Sequence, residues 1–462
     1  MKTLNLLLFT SLAVFAGRAE PIKLHRQNPH YFSWLGRPTM LVTSGEHYGA
    51  VLNLDFNYAR YLDALKKDGL NLTRTFSGAY CENPTAFNIQ SNTLAPTPGR
   101  LICPWARSDT PGYANGGNKF DLTRWDDAYF KRLKDFLRAA DRGGVIVEFT
   151  IFCPFYRDDM WNLSPMNAAN NINGVGGVTR SNVYTLDKHG GLLAVQEVTV
   201  RKLVTELNGF DNLMWEICNE PYFGGVTMEW QHHLADVIIE AEKPLRKKHL
   251  VTQNIANKQK KIEDPHPAVS VFNFHYASPP DTVAMNHALQ KVIGDNETGF
   301  KGTNLTHYRM EGWQFLMAGG ALYNNLDYSF AVGHEDGTFA YHAKQPGSGN
   351  PELRRQLGIL KDFIGRFDFV KMRPDTAFVK GGVPEKGRVQ ALAEPGRQYA
   401  LYLFGGTRAD LTVELPAGRY RVEWLNPRTG RIDKRESIRH SGGIVTLASP
   451  PYEQDVTLKI VR

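Results

Sequence analysis

Cysteine is scarce in this chain, with four residues in 462. So few cannot build a scaffold that depends on disulfides. Neither a CxxC pair nor a histidine-rich spacing is present, so the sequence does not indicate a metal site. Cys81 and Cys103 lie in loop-like sequence, where a pairing in an oxidising compartment stays open. Cys153 and Cys218 end apolar runs, and we expect them to be buried as small hydrophobic side chains.

Long apolar runs and clusters of like charge are also missing. After the first residues no segment has the length and apolar character of a membrane span. The net charge is +7, but the lysines and arginines are scattered, so nucleic-acid binding is not indicated. We found no internal repeat and no low-complexity tract. These absences leave a globular protein without membrane insertion.

The first 19 residues have the composition of a secretory signal. Lys2 supplies the positive end, residues 4–16 the apolar stretch, and Ala19 a small residue before a cleavage point at Glu20. The apolar stretch is too short to span a bilayer. We therefore expect an exported protein, either secreted or periplasmic.

From residue 38 to residue 330, strand-like apolar runs alternate with helix-like amphipathic stretches. Their continuous apolar character is typical of strands buried on both faces. Eight alternations predict a (β/α)8 TIM barrel, an α/β fold. The predicted strands are 40–44, 71–76, 145–152, 212–217, 250–255, 269–275, 291–297 and 321–328. Helices are predicted over 55–69, 125–143 and 195–208.

Two long segments, 82–120 and 157–189, interrupt this rhythm without a clear period. Both follow predicted strands, so we expect them to cover the functional face of the barrel. Beyond residue 373, short alternating runs separated by turns predict a small all-β sandwich. We therefore divide the chain into a signal peptide at 1–19, a barrel over 20–372 and a C-terminal β-sandwich over 373–462.

The segment 213–221 is the most informative stretch of the chain. An apolar run of strand type ends at Asn219 and Glu220, and Pro221 then prevents continuation as a central strand. In a barrel of parallel strands, residues at this end of a strand face the substrate. A carboxylate placed there suits proton transfer to a sugar oxygen, while the neighbouring amide can bind a hydroxyl group.

This stretch resembles the acid/base motif of the retaining glycoside hydrolases of clan A, which include cellulases and mannanases. The resemblance covers the predicted strand ends within residues 38–330. It implies that Glu220, on the fourth strand, is the acid/base and that a glutamate on the seventh strand is the nucleophile. Glu297, followed by Thr298 and Gly299, matches the second pattern.

Asp295 competes with Glu297 for the nucleophile role. Residues two apart on a regular strand point to the same side, so both carboxylates would face the substrate. Glu297 lies nearer the end of the strand and reaches further, and we favour it. Glu216 lies in the middle of the fourth strand, and we interpret it as a structural acid of the barrel interior.

Four further residues take roles that the resemblance implies. Arg74, at the end of the second strand, would keep the nucleophile ionised, because a nearby cation lowers the pKa of a carboxyl group. His275 and Tyr276 end the sixth strand and would bind the substrate and the nucleophile. Asn219 would contact the 2-hydroxyl of the sugar.

Five other residues are weaker candidates for sugar contacts. Glu46 and His47 follow the first strand and would lie at the same end of the barrel. Trp105, Trp161 and Trp313 offer rings on which a sugar can stack, although each is equally suited to a core position.

These features predict an exported retaining β-glycosidase that acts on a poly- or oligosaccharide through a covalent intermediate. Two carboxyl groups and water suffice for this chemistry, so we expect no cofactor and no metal. The alternative is a catalytically inactive carbohydrate-binding protein on the same barrel. A binding function of the C-terminal region is compatible with either interpretation.

Overall fold

The computed structural model of the chain describes residues 20–187 and 189–462. The predicted signal peptide, residues 1–19, lies outside the described residues. Within the described ranges, no helix combines the length and the apolar character needed to cross a membrane.

Eight parallel strands form the barrel, and all eight predicted strands are confirmed. The strands are β1 Leu41–Gly45, β2 Leu72–Phe76, β3 Ile146–Phe152, β4 Leu213–Cys218, β5 Leu250–Asn257, β6 Val269–His275, β7 Val292–Thr298 and β8 Leu322–Leu326. Their hydrogen-bonded order is β1-β8-β7-β6-β5-β4-β3-β2. Almost every strand residue is buried, as expected of a sheet covered on both faces.

A side chain closes the remaining seam between β1 and β2. The backbone N–H of Asn71, directly before β2, donates to the carbonyl of Val42 at 3.2 Å. Its side-chain oxygen accepts from the N–H of Val42 at 2.9 Å, and its side-chain amide donates to the carbonyl of Met40 at 2.9 Å. The asparagine amide therefore supplies bonds that a regular ladder would otherwise make.

Helices cover the outside of the barrel. They are α1 Tyr58–Lys67, α2 Asp127–Gly143, α3 Asp158–Trp161, α4 Leu192–Leu207, α5 Met228–Glu242, α6 Asp281–Asn286, α7 Leu305–Met317 and α8 Pro351–Ile364. The first two begin later than periodicity predicts, because Asn57 and Asp126 cap them. The expected alternation is also incomplete, since residues 258–268, all described, join β5 to β6 without a helix.

Segment 82–120 was expected to be irregular, but its end belongs to a β-hairpin of Trp105–Pro111 and Asn118–Trp125. The guanidinium of Arg107 lies over the rings of Phe120 and Tyr113, at 4.0 and 4.6 Å from their centroids. A charged residue thus covers part of the hairpin's aromatic side. This arrangement hides the alternation of apolar and polar residues by which a strand is recognised.

The four cysteines are buried and unpaired with one another within the described part of the chain. The Cys81 sulfur lies 3.9 Å from the hydroxyl of Tyr113, and Cys103 contacts the carbonyl of Trp105 at 3.6 Å. The open question of a Cys81–Cys103 disulfide is therefore answered by two separate, buried thiols.

The C-terminal region consists of two antiparallel sheets that pack face to face. Its strands are β9 Arg373–Pro374, β10 Val379–Gly381, β11 Arg388–Glu394, β12 Gln398–Phe404, β13 Asp410–Leu415, β14 Gly418–Leu425, β15 Ile432–His440, β16 Gly443–Ala448 and β17 Asp455–Val461. The sheet orders are β9-β11-β12-β17-β14-β15 and β10-β13-β16. The alternating runs of the sequence predict strands at 388–393, 399–404, 411–415, 418–424, 444–447 and 455–461. The short strands β9 and β10 were therefore not predicted, and neither was β15, a half-exposed edge strand with many charged residues.

The larger of these sheets also packs against helix α7 of the barrel. Arg309 binds both carboxylate oxygens of Asp455 at 2.9 and 3.1 Å in a buried contact. Beside it the ring of Trp313 stacks on Tyr402, with centroids 5.3 Å apart. Trp313 is therefore a core residue at the junction. The division of the chain at residue 373 stays a prediction.

A small antiparallel sheet precedes the barrel, with strands Lys23–Leu24, Phe32–Trp34 and Arg37–Thr39. The N–H of Ile22 donates to the carbonyl of Asp211, just before β4. The N-terminal segment therefore contacts the end of the barrel where the strands begin, opposite the candidate site.

Candidate active site

A cavity of about 380 Å³ opens at the C-terminal ends of the barrel strands. Half of its lining residues are phenylalanines and tyrosines, among them Tyr48, Phe76, Phe87 and Phe300. A few polar side chains are set into this apolar wall, as in many ligand sites. They are His47, Glu82, Asn219, Glu220, Asn257 and Glu297.

Glu220 and Glu297 face each other across this cavity. Glu220 comes two residues after β4, and Glu297 is the penultimate residue of β7. One carboxylate oxygen of Glu220 lies within 4.8 Å of one of Glu297. This upper limit is compatible with the gap of roughly 5–5.5 Å that a retaining glycosidase needs between its two carboxyl groups.

Glu297 is surrounded by hydrogen-bond donors and cations. Its Oε2 accepts from the hydroxyl of Tyr48 at 2.8 Å and from Arg74 Nη1 at 3.3 Å. Its Oε1 accepts from the hydroxyl of Tyr276 at 2.6 Å and lies 3.4 Å from His275 Nδ1. Burial opposes ionisation, but His275, Arg74 and Tyr276 outweigh it and hold the pKa of Glu297 well below its usual value.

Glu220 has a different set of neighbours. Its Oε2 accepts from the hydroxyl of Tyr156 at 2.6 Å. Its Oε1 lies 3.2 Å from both the hydroxyl of Tyr222 and His275 Nδ1. The backbone N–H of Glu220 donates to Asn254 at 3.0 Å and so fixes the residue to β5. Two phenols and a shared imidazole therefore contact this carboxylate.

His275 lies between the two carboxylates. Burial lowers the pKa of its imidazole, but Glu297 and Glu220 outweigh this effect and raise it to about 10. Among the described residues, these three are the group whose ligand atoms converge closely enough for a metal ion. A metal ligand must be a deprotonated nitrogen, whereas Nδ1 of His275 faces two carboxylates as a donor. The arrangement favours proton chemistry.

Arg74 is held in place by the polar interior of the barrel. Its Nε donates to Glu216 Oε2 at 2.7 Å, and its Nη2 donates to Asn219 Oδ1 at 2.6 Å. The other oxygen of Glu216 accepts from Asn254 and Asn296 at 2.6 and 2.7 Å. Glu216 is fully buried and does not line the cavity. It positions Arg74, which in turn presents its charge to Glu297.

The expectation that Asp295 and Glu297 point to the same side is wrong. The ladder between β6 and β7 pairs Phe274 with Asp295 and His275 with Glu297, which leaves Asn296 as an extra residue. Asn296 points into the barrel, towards Glu216. Asp295 therefore points outward, where it accepts from the N–H of Ala277 at 3.3 Å. Burial and Glu311 of α7 raise its pKa well above the usual value.

Two of the weaker candidates behave differently. Glu46 accepts hydrogen bonds from the N–H groups of Gly49 and Ala50 and from Thr93, and it does not line the cavity. Burial raises its pKa to about 7. Glu46 is thus a structural residue that joins the loops after β1 and β2. His47 does line the cavity, where its Nε2 lies 3.5 Å from Glu82 Oε2.

The tryptophans do not supply the sugar-stacking surface. Trp105, Trp161 and Trp313 are all buried, and none of them lines the cavity. Phe223, which follows the Asn219–Glu220 pair and is 43% exposed, is a better candidate. Phenylalanine in a loop carries no signal that distinguishes it from a core residue.

Tyr48, Tyr156 and Tyr222 were not predicted, although each hydroxyl contacts one of the two carboxylates. Each lies within a few residues of a strand end, which is the one signal that could have identified them. Tyr48 and Tyr276 have positive φ angles of 59° and 55°. This uncommon conformation lets the consecutive residues His275 and Tyr276 reach the same carboxylate.

Comparisons with known proteins show which solved structures share the fold that carries this site. No protein-family model matches the sequence, and a search of curated proteins finds no match. Solved structures do match. One is a glycoside hydrolase of family 5 from Bacteroides vulgatus, with a TM-score of 0.66 and 14% identity, covering 96% of this chain and 93% of the other.

Two further structures extend the comparison. One is described as a glycoside hydrolase, with a TM-score of 0.63, 14% identity and coverage of 96% and 97% of the two chains. The other is a variant of a family 5 mannosidase from Rhizomucor miehei, with a TM-score of 0.50, 12% identity and coverage of 75% and 99%. The chain therefore has the fold of these glycoside hydrolases, a parallel barrel followed by antiparallel sheets.

Proposed function

We propose that the protein is a retaining β-glycosidase in which Glu297 is the nucleophile and Glu220 the acid/base. The observation that carries this proposal is the pair of carboxylate oxygens within 4.8 Å of each other at the mouth of the barrel. An inverting enzyme needs a wider gap of about 6.5–9.5 Å between the carboxyl groups, to admit water. The shared fold of known glycoside hydrolases supports the same reaction class.

The reaction takes two steps. In the first, Glu297 attacks the anomeric carbon while Glu220 donates a proton to the departing oxygen, so the glycosidic bond breaks as a glycosyl ester forms. In the second, Glu220 takes a proton from water, which attacks the same carbon and releases Glu297. Atoms and charges balance with the sugar and water alone, so the proposal includes no cofactor.

The surroundings of the two glutamates support this assignment. Arg74 and His275 favour the ionised form of Glu297, which the attack requires. Asn219 lines the cavity beside Glu220, and we assign it to the sugar 2-hydroxyl. Its carboxamide is fixed by Arg74 at Oδ1 and by Tyr156, which accepts from Nδ2 at 2.9 Å.

We further propose that the substrate is a poly- or oligosaccharide met outside the cytoplasm. The composition of residues 1–19 supports export. One protein of similar fold is described as a mannosidase, so mannosides belong in any substrate panel.

Trapping of the glycosyl-enzyme tests the mechanism. The full chain is incubated with 2-deoxy-2-fluoro glycosides of glucose, mannose, galactose and xylose, which slow the second step and accumulate the ester. We expect a mass increase by one sugar, mapped to the peptide that carries Glu297. Glu297→Gln should take no label, and Asp295→Asn should take it normally.

Other outcomes have definite meanings. Label on Asp295 would keep the mechanism and overturn the assignment of the nucleophile. A chain that takes no label from any sugar, yet binds a glycan in both its native form and as Glu220→Gln, would be a carbohydrate-binding protein instead.

A further inference from the structure

Loops that are hydrogen-bonded to one another form a wall on one side of the cavity, which they line through His47, Phe87 and Phe300. The loop after β2 meets the loop after β8, where the N–H of Gln90 donates to Gln345 Oε1 at 3.0 Å. The N–H of His342 returns a bond to Gln90 Oε1 at 2.7 Å. The N–H of Gly302, after β7, donates to the carbonyl of Pro346 at 2.9 Å. The wall thus runs from β2 over β1 and β8 to β7.

This wall is fixed rather than loosely packed. Thr93 donates to the carbonyl of His47 at 2.9 Å and to Glu46 at 2.6 Å, which ties the β2 loop to the β1 loop. On the far side, the side chain of Asn325 donates to the carbonyl of Ser348 at 2.9 Å. The buried side chains of Thr93 and Gln345 thus link the β2 loop to the loops after β1 and β8, while Asn325 fixes the β8 loop to its own strand.

A buried polar pair lies where this wall meets the cavity. Glu82 and His47 both line the cavity, and their side chains approach to 3.5 Å. Glu82 is held by the hydroxyl of Tyr80 at 2.9 Å and by Asn92 at 2.5 Å. Nδ1 of His47 has no hydrogen-bond partner among the described residues, while its Nε2 faces the Glu82 carboxylate. Unsatisfied buried groups of this kind are suited to bind a polar ligand.

The wall lies on the nucleophile side of the cavity. His47 directly precedes Tyr48, which binds Glu297. Tyr222, Phe223 and Asn257 lie on the opposite side, next to Glu220, where Tyr222 contacts Asn257 at 2.5 Å. The leaving group departs towards the acid, so the sugar whose anomeric carbon reacts occupies the walled side. Chain beyond that sugar would have to pass through the loops.

We infer that the protein removes single sugars from the non-reducing ends of β-linked chains, and that His47 and Glu82 bind hydroxyl groups of the terminal sugar. The inference rests on the proposed function and adds the direction of attack to it. The wall leaves room for one sugar on the non-reducing side of the cleaved bond. The other side, where the leaving group lies, is open to the rest of the chain.

The test uses β-linked hexasaccharides of the sugar that labels Glu297, each with a fluorophore at the reducing end. We expect a ladder of labelled products that shortens by one sugar at a time from the unlabelled end. Blocking the terminal sugar, with a 4,6-O-ethylidene group on a hexose or a 4-O-methyl group on xylose, should stop the reaction. Mixed internal fragments, or cleavage of the blocked chain at an unchanged rate, would overturn the inference while the trapped ester on Glu297 kept the proposed function intact.

The polar pair is tested separately with aryl glycosides that lack the 3-, 4- or 6-hydroxyl. In the native protein, we expect the loss of one bound hydroxyl to lower kcat/KM by roughly ten- to a hundredfold, as for hydrogen bonds to charged groups. Glu82→Gln should lower kcat/KM for the complete glycoside by a similar factor. In this variant, removing the hydroxyl that Glu82 binds should cause little further loss of kcat/KM.

Glu335→Gln is the matched control. Glu335 is a buried glutamate of the β8 loop that does not line the cavity, and its Oε1 accepts from Asn57 and Gly333, which glutamine can preserve. The control should behave like the native protein. If Glu82→Gln matches the control in both kcat/KM and deoxy penalties, the assignment of Glu82 is wrong.

Discussion

The two carboxylates of the site have the same chemistry and almost the same burial, but not the same neighbours. Glu297 is 5% exposed and Glu220 is 7% exposed. Each accepts from two tyrosine hydroxyls, and both face His275 Nδ1. Within the described chain, the guanidinium of Arg74 contacts Glu297 and forms no hydrogen bond or ion pair with Glu220.

This difference identifies the source of the asymmetry. Burial alone would disfavour the charged form of both groups equally, and phenols can donate to either. A fixed cation next to one of them favours its ionised form, which is the form a nucleophile needs. Arg74 owes its position to Glu216 and Asn219, so under the proposed mechanism the barrel interior favours Glu297 as the nucleophile.

The largest effect is expected on removing the nucleophile. Glu297→Ala should lower kcat by at least about 10⁴-fold, because no covalent intermediate can form. Added azide should partly restore turnover by attacking from the side that the carboxylate vacated, which gives an α-glycosyl azide. Rate measurements and NMR of the product check both points. A β-glycosyl azide would contradict the assignment.

Removal of the acid/base should have a smaller and selective effect. Glu220→Ala should lower kcat/KM by about 10²–10⁴-fold for substrates with poor leaving groups, which need a proton. For an aryl glycoside with a good leaving group, the rate of the first step should change little. Azide should then give the β-glycosyl azide by attack on the ester. An equal loss for both leaving groups would exclude Glu220 as the acid.

Weakening the charge of Arg74 beside Glu297 should have an intermediate effect on activity. In Arg74→Lys the shorter side chain cannot contact Glu216, Asn219 and Glu297 together. The pKa of Glu297 should therefore rise, by about one unit or more, and the acid limb of kcat/KM should move to higher pH. Profiles of kcat/KM against pH check this. An unmoved acid limb, together with normal folding by circular dichroism, would show that Arg74 does not act on Glu297.

The fold was largely accessible from the sequence. Strands buried on both faces are continuous apolar runs, and such runs predicted all eight barrel strands. The elements that the sequence did not predict include strands that contain charged residues. Arg107 covers the rings of the hairpin, and charged residues populate the edge strand β15. Hydrophobic periodicity does not detect either element, because charged residues stand where a regular strand would show apolar ones.

The site was accessible only in part. Strand ends placed Glu220, Glu297, Arg74 and His275 at one end of the barrel, where the structure brings them together. The bulge at Asn296 was not visible, because regular alternation assigns Asp295 to the same side as Glu297. Tyr48 was missed for a similar reason, since its positive φ directs the side chain towards the carboxylate.

The shared imidazole should make stability depend on pH. The pKa of His275 is raised from 6.5 to about 10, so the proton it binds in the folded state stabilises the protein fully below pH 6.5. That contribution is lost as the pH rises towards 10. The difference in unfolding free energy between the native protein and His275→Gln should shrink by a few kcal/mol over this interval. Denaturant titrations at pH 6, 8 and 10 measure it, and a constant difference would contradict the assignment.

The smallest effect on activity is expected for Asp295→Asn. This variant is therefore the best control for the same carboxyl-to-amide change at Glu297. Asp295 and Glu297 belong to the same strand, and both are buried carboxyl groups. Burial and Glu311 raise the pKa of Asp295 well above its usual value, which favours the neutral form, and asparagine reproduces its shape and its acceptor for Ala277. Asp295→Asn should therefore change kcat/KM by less than about threefold and unfolding free energy by less than about 1 kcal/mol. The same carboxyl-to-amide change at Glu297 should abolish turnover. If the two variants were equally inactive, the outward orientation of Asp295 would not separate their roles, and the nucleophile would have to be assigned again.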